Sequence, residues 1–188
     1  MLKKIKSQTS DLWYYDHSSD EKNRYTLGIP GKNPLICIGV NPSTAEPDNL
    51  DATLKRVQKR SHIEGFDGWI MLNVFPLRET KPNKLPQQGN QTEIDKNTKI
   101  ICQVMRTYPD CKVWAAWGNS VDLRPYLLQS LYNIYTETKG LDLNWVTVKL
   151  CKKSGHPHHP IGLRYIDSLQ SFDMQKYFED RGLNVGVF

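Results

Sequence analysis

Four short apolar runs punctuate the chain, separated by longer stretches in which apolar side chains recur at helical spacing. The runs are Pro34-Leu35-Ile36-Cys37-Ile38-Gly39-Val40, Gly68-Trp69-Ile70-Met71-Leu72-Asn73-Val74-Phe75, Lys112-Val113-Trp114-Ala115-Ala116-Trp117-Gly118 and Leu143-Asn144-Trp145-Val146-Thr147-Val148-Lys149-Leu150. Each has strand length, and the first three are near-continuous, the pattern of strands buried on both faces of a parallel sheet. Strands are therefore predicted near 35–40, 69–74, 112–117 and 145–150. Between them, Leu50 to His62 carries Leu54 and Val57 among basic residues behind a cap at Asp51. Thr92 to Met105 sets Ile94, Ile101, Val104 and Met105 on a stripe that ends before Tyr108-Pro109, and Pro125 to Tyr135 begins with a proline suited to a first helical turn. Strands alternating with helices predict an α/β fold, a three-layer α/β/α arrangement around a mainly parallel four-stranded sheet. Ligands bind such sheets beyond the carboxyl ends of the strands. Asp11–Tyr15 and Arg24–Gly28 read as an N-terminal hairpin around the polar stretch 16–23, and Ile166 to Phe178 as a closing helix before a frayed tail after Gly182.

A chain of 188 residues suits one domain with a substantial core, and no repeat, low-complexity tract or long linker divides it. No apolar run approaches the roughly 18 residues that span a bilayer. The start, Met1-Leu2-Lys3-Lys4-Ile5-Lys6-Ser7, leads into polar residues rather than the apolar stretch of a secretory signal. A cytoplasmic protein with no membrane partner is the expectation. Cys37, Cys102, Cys111 and Cys151 form no C-x-x-C pair, so reduced thiols are expected, with Cys37 and Cys151 as small core residues. The net charge of +5 favours polyanionic partners such as nucleic acid or phosphorylated metabolites. Lys55, Arg56, Lys59 and Arg60, with Lys152 and Lys153, are candidates for a basic rim around phosphates; a solvated helix face is the equal alternative.

Candidate chemistry gathers where the apolar runs stop. After the first come Asn41, Pro42, Ser43 and Thr44, able to offer an amide, hydroxyls and backbone donors, or simply a turn and helix cap. Asn73 interrupts the second run, and a buried amide must find a partner, either backbone or the edge of a base or similar imide. Arg78 follows it, as an anion ligand or a surface ion-pair residue. Trp117-Gly118-Asn119-Ser120 closes the third run, with Trp117 in the core and Asn119 as a further ligand candidate. After the fourth comes Lys152-Lys153-Ser154-Gly155-His156-Pro157-His158-His159-Pro160. The histidines lack an adjacent acidic or cysteine ligand, so acid chemistry or charge stabilisation at His156 suits them better than metal binding. No metal or organic cofactor is expected.

The order of these clusters, over about residues 25 to 165, resembles the family catalogued as domain of unknown function 1643. More distantly, Gly39-Val40-Asn41-Pro42, Leu72-Asn73 and His156-Pro157 resemble the uracil-DNA glycosylase superfamily, built on a four-stranded parallel sheet between helices. That resemblance implies that Asn41 orients a hydrolytic water, Asn73 holds the base edge and His156 stabilises the departing base anion, with no cofactor. The sequence departs from that superfamily in having Asn41 where its most active members carry aspartate, Ser43-Thr44 after the proline, and His156-Pro157-His158-His159 in place of His-Pro-Ser. Phe75 is a candidate for base stacking or for the core. The expectation is a glycosylase-like site binding a nucleobase, nucleotide or DNA, with N-glycosidic hydrolysis as its chemistry. The alternatives are a non-catalytic module binding nucleotide or nucleic acid, and a hydrolase or transferase of phosphorylated small molecules using Arg78, Lys152 and Lys153.

Overall fold

Successive side chains of a strand point to opposite faces, so a continuous apolar run seals two helical layers at once. In the computed structural model, which describes residues 2–6, 8 and 11–183, the four runs do this. They form β4 (Pro34–Gly39), β5 (Gly68–Asn73), β6 (Lys112–Ala115) and β7 (Asn144–Thr147). Leu35 and Cys37 of β4 join Trp69, Met71 and Trp114 in one apolar cluster with Leu54 and Val57 of α1 (Ala52–Ile63). Ile36 and Ile38 join the opposite cluster, with Ile94, Ile101 and Val104 of α2 (Gln91–Thr107), Leu127, Leu131 and Ile134 of α3 (Pro125–Thr138) and Tyr177 and Phe178 of α4 (Met174–Glu179).

The sheet is larger and more mixed than predicted. It has eight strands in the order β1-β2-β3-β5-β4-β6-β7-β8, with β1 at Lys4–Lys6, β2 at Leu12–His17, β3 at Arg24–Ile29 and β8 at Gln170–Ser171. Four of its seven pairings are antiparallel, which corrects the expectation of a mainly parallel four-stranded sheet. The β2–β3 hairpin docks antiparallel on β5 through β3, so β1, β2 and β3 extend this edge of the sheet as an antiparallel meander. The three parallel pairings join β5 to β4, β4 to β6 and β6 to β7. β4 thus lies between the strand that follows it and the strand after that, which makes its carboxyl end a switch point where connections leave in opposite directions.

Caps explain most helix boundaries. Asp51 accepts from the Leu54 N–H at 2.8 Å and starts α1; Asn90 accepts from the Glu93 N–H and starts α2; Pro125 opens α3. The expected closing helix over 166–178 is corrected. Ile166 is 83% exposed, 170–171 pair with β7, and Asp173 caps a helix that begins only at Met174. The predicted frayed tail falls largely on residues 184–188, outside the described residues. Among the described residues no helix is long and apolar enough to cross a membrane. The thiols of Cys37, Cys102, Cys111 and Cys151 are free.

Candidate functional site

The carboxyl ends of β4 and β5 and the loop after β6 converge on a cleft of about 440 Å³. Gly39, Val40, Asn41, Ser43 and Thr44 supply one wall, and the first turn of α1, from Asp51 to Leu54, stands beside them. Asn73 ends β5 in the lining at 1% exposure, and among the described residues neither its Nδ2 nor its Oδ1 has a hydrogen-bond partner. Its backbone is fixed by α2, where the wholly buried Asn97 donates to the carbonyls of Asn73 at 2.8 Å and Val74 at 3.1 Å. Gly39 leaves the space that this side chain uses, since a Cβ there would lie 2.7 Å from the Met71 methyl and 3.2 Å from Asn73 Oδ1. Leaving a buried amide unpaired costs about 1–3 kcal/mol.

Asn41 lines the same cleft, but its Nδ2 donates to the carbonyls of Pro42, Leu77 and Glu79, the last at 2.7 Å. The amide thereby staples the loop after β5, and only its Oδ1 is left for a ligand. Ser43 Oγ donates to Asp51 Oδ2 at 2.5 Å, so both carboxylate oxygens of Asp51 are engaged. Pro42 is buried behind this wall.

The histidine loop divides between two sites. His159 faces the cleft, while His156 does not line it. His159 Nδ1 accepts from the Ile161 N–H at 3.3 Å, which leaves its Nε2–H as the donor. Burial lowers its pKa, opposed by the charge of Asp51. Gly118 makes this approach feasible: its φ of +61° suits glycine, a Cβ there would sit 3.2 Å from His159 Cβ, and its N–H donates to Pro157 O at 2.9 Å. His156, 1% exposed, lines a separate cavity of about 660 Å³. There the Trp117 indole N–H donates to the Tyr177 hydroxyl, which donates to His156 Nδ1 at 2.8 Å, and Nε2–H donates to Asp122 Oδ2 at 2.7 Å. Burial lowers the pKa of His156 despite Asp122, and raises that of Tyr177 to about 12. With both ring nitrogens engaged, His156 ties the loop after β6 to α4; a role on a ligand in the cleft does not fit this position.

Other predicted residues also lie apart. Asn119 is exposed and accepts from Ser154 Oγ at 2.7 Å. Arg56 Nη1 donates to Leu163 O at 3.0 Å, and the buried Arg60 donates to the carbonyls of Arg164 and Asp167, so these two members of the expected basic rim clamp the 163–167 loop instead. Lys55, Lys152 and Lys153 are exposed and line neither cavity. Arg78 donates to the Tyr15 hydroxyl at 2.6 Å beside Glu46. Phe75 is a core residue packed on Tyr126. Among the described residues no group of three or more His, Cys, Asp or Glu is placed to hold a metal ion.

Sequence reasoning missed Arg24, which lines the cleft at 2% exposure. A charged residue opening an otherwise apolar strand was the available signal. It also weighted the first His-Pro pair of the loop, whereas the second, His159-Pro160, reaches the cleft.

A family model described as Protein of unknown function (DUF1643) matches residues 24–161. The chain belongs to this family. The chain matches no curated protein and no solved structure. The DUF1643 span begins at Arg24 and ends at Ile161, and both line the cleft, so every residue of its lining falls inside the DUF1643 region. The cavity around His156 draws Phe172, Lys176, Tyr177 and Arg181 from beyond it.

Proposed function

We propose that this chain binds a nucleobase-bearing ligand in the cleft at the switch point, with Asn73 pairing to the edge of the base. The observation that carries the reading is the buried Asn73 amide, whose donor and acceptor are both unpartnered in the lining. An amide presents one donor face and one acceptor, the complement of a base edge or cyclic imide. The distant resemblance of Leu72-Asn73 to the base-reading strand of uracil-DNA glycosylases supports the same assignment. A thermal-shift series with free bases, nucleosides and nucleotides tests it. A ligand at 100 times its Kd adds about 2.7 kcal/mol, roughly 5–10 °C for a chain of this size. Asn73→Asp, which keeps the shape but replaces the donor with an acceptor, is expected to abolish the shift. No shift with any base, nucleoside or nucleotide refutes the reading.

N-glycosidic hydrolysis is favoured by one further observation: the cleft holds a neutral-type imidazole donor and a carboxylate together, His159 Nε2–H and Asp51. The imidazole would stabilise charge developing on a leaving base, and Asp51 with Asn41 Oδ1 would orient water. Removing one such donor costs roughly 10²–10³ in rate, so His159→Ala should lower kcat with little change in binding, whereas His156→Gln should spare kcat. Binding without base release would identify a non-catalytic module.

A further inference from the structure

We propose that the cleft holds an oxyanion at Arg24, so that its base-bearing ligand is a nucleotide, carrying a phosphate, rather than a free base or nucleoside. The base half of this assignment rests on the function proposed for Asn73; the anion half has its own observations. Arg24 opens β3 and lies in the cleft lining at 2% exposure. Among the described residues its side chain makes one hydrogen bond, from Nη1 to Ala45 O at 3.0 Å, while Nε is sealed without a partner and Nη2 makes none. No carboxylate of the described residues lies within 4.0 Å, although a buried guanidinium is ordinarily held in an ion pair.

The acidic groups around Arg24 are committed elsewhere. Asp51 receives the Leu54 N–H and the Ser43 hydroxyl, while Glu46 receives the Tyr15 hydroxyl and faces Arg78 at 3.7 Å. Burial, with the like charge of Arg78, lowers the pKa of Arg24 to about 10, which still leaves it cationic at neutral pH. Ala52 and Thr53, in the first turn of α1, line the same wall, where helix N–H groups and the positive end of the dipole favour an anion. A guanidinium with a free nitrogen beside such a turn matches the oxygens of a phosphate. Glu79, whose Oε1 receives the Lys81 N–H, also lines the cleft. Its carboxylate offers an acceptor suited to a sugar hydroxyl between base and phosphate.

Calorimetric titration of the wild-type chain with free bases, nucleosides, nucleoside 5′-monophosphates and inorganic phosphate tests the proposal. The monophosphate is expected to bind about tenfold or more tighter than its nucleoside, with the gap shrinking as salt rises. Arg24→Lys, which keeps charge but loses the fork, should narrow the gap, and Arg24→Gln should close it. If Arg24→Gln does not fold, the wild-type comparison and its salt dependence decide the matter alone. Equal affinity for nucleoside and monophosphate overturns the anion site and leaves the base reading intact. Phosphate binding without base or nucleoside binding sustains the anion site and overturns the base reading, and no binding of any probe overturns both.

Discussion

Asn73, His156 and His159 show how single residues are tuned here. An unpaired amide at 1% exposure is a stability defect that function would explain. Asn73→Leu, of similar volume and without polar atoms, should therefore raise the stability of the free protein by about 1–3 kcal/mol while eliminating ligand binding; denaturant unfolding beside the ligand titration checks both halves. His156 and His159 carry a pH dependence of defined sign. Burial holds both below the usual histidine pKa of about 6.5, so the unfolded chain binds protons more readily. Their contribution is complete above about pH 6.5 and is lost as pH falls through the lowered folded values. The wild-type Tm should drop on acidification from about pH 7 to 5 more steeply than that of His156→Gln, and parallel curves would show that His156 carries none of the loss. Asn73 was legible because it breaks an apolar run. The choice between His156 and His159 was not, because two His-Pro pairs lie three residues apart and contacts distant in sequence, such as Gly118 with Pro157 and Tyr177 with His156, fix which one turns to the cleft.

Elements were legible where the chain writes its own punctuation. Asp51 and Pro125 marked two helix starts, whereas the Asn90 cap went unread, and the β2–β3 hairpin followed from two apolar segments around a polar loop. The closing helix was misread because Leu169, Phe172 and Tyr177 mimic a helical stripe, whereas Asp173 caps only the last turns. Strands β1 and β8, of three and two residues, carry too little pattern to be recognised without their partners. Two substitutions probe these elements. Asp51→Ala removes the α1 cap and should cost about 1 kcal/mol, most of which Asp51→Asn should retain. Gly118→Ala forces a Cβ into a φ of +61° against His159 and should weaken ligand binding as well as stability, detectable as a loss of the ligand-induced thermal shift.

At the scale of the molecule, the order of polar clusters identified the ends of β4 and β5 as a common site, because carboxyl ends of parallel neighbours necessarily lie together. The antiparallel flanks were not legible, since a run buried on both faces looks the same whatever pairs with its edges. Hydrogen exchange should follow this layout, slowest in β4 at the centre of the order and fastest in β1 and β8 at its edges. The position of β4 also bears on how the chain reaches its native state. Ile36 must pair with Val113, so one side of β4 waits for a partner that lies most of the family span away, and closing so long a loop carries an entropic cost before any contact rewards it. The cleft therefore assembles only when β4 is enclosed on both sides. Until then, Leu35, Cys37 and their neighbours form an open apolar strand edge, which makes slow folding and self-association the hazards that accompany a binding site built at a central switch point.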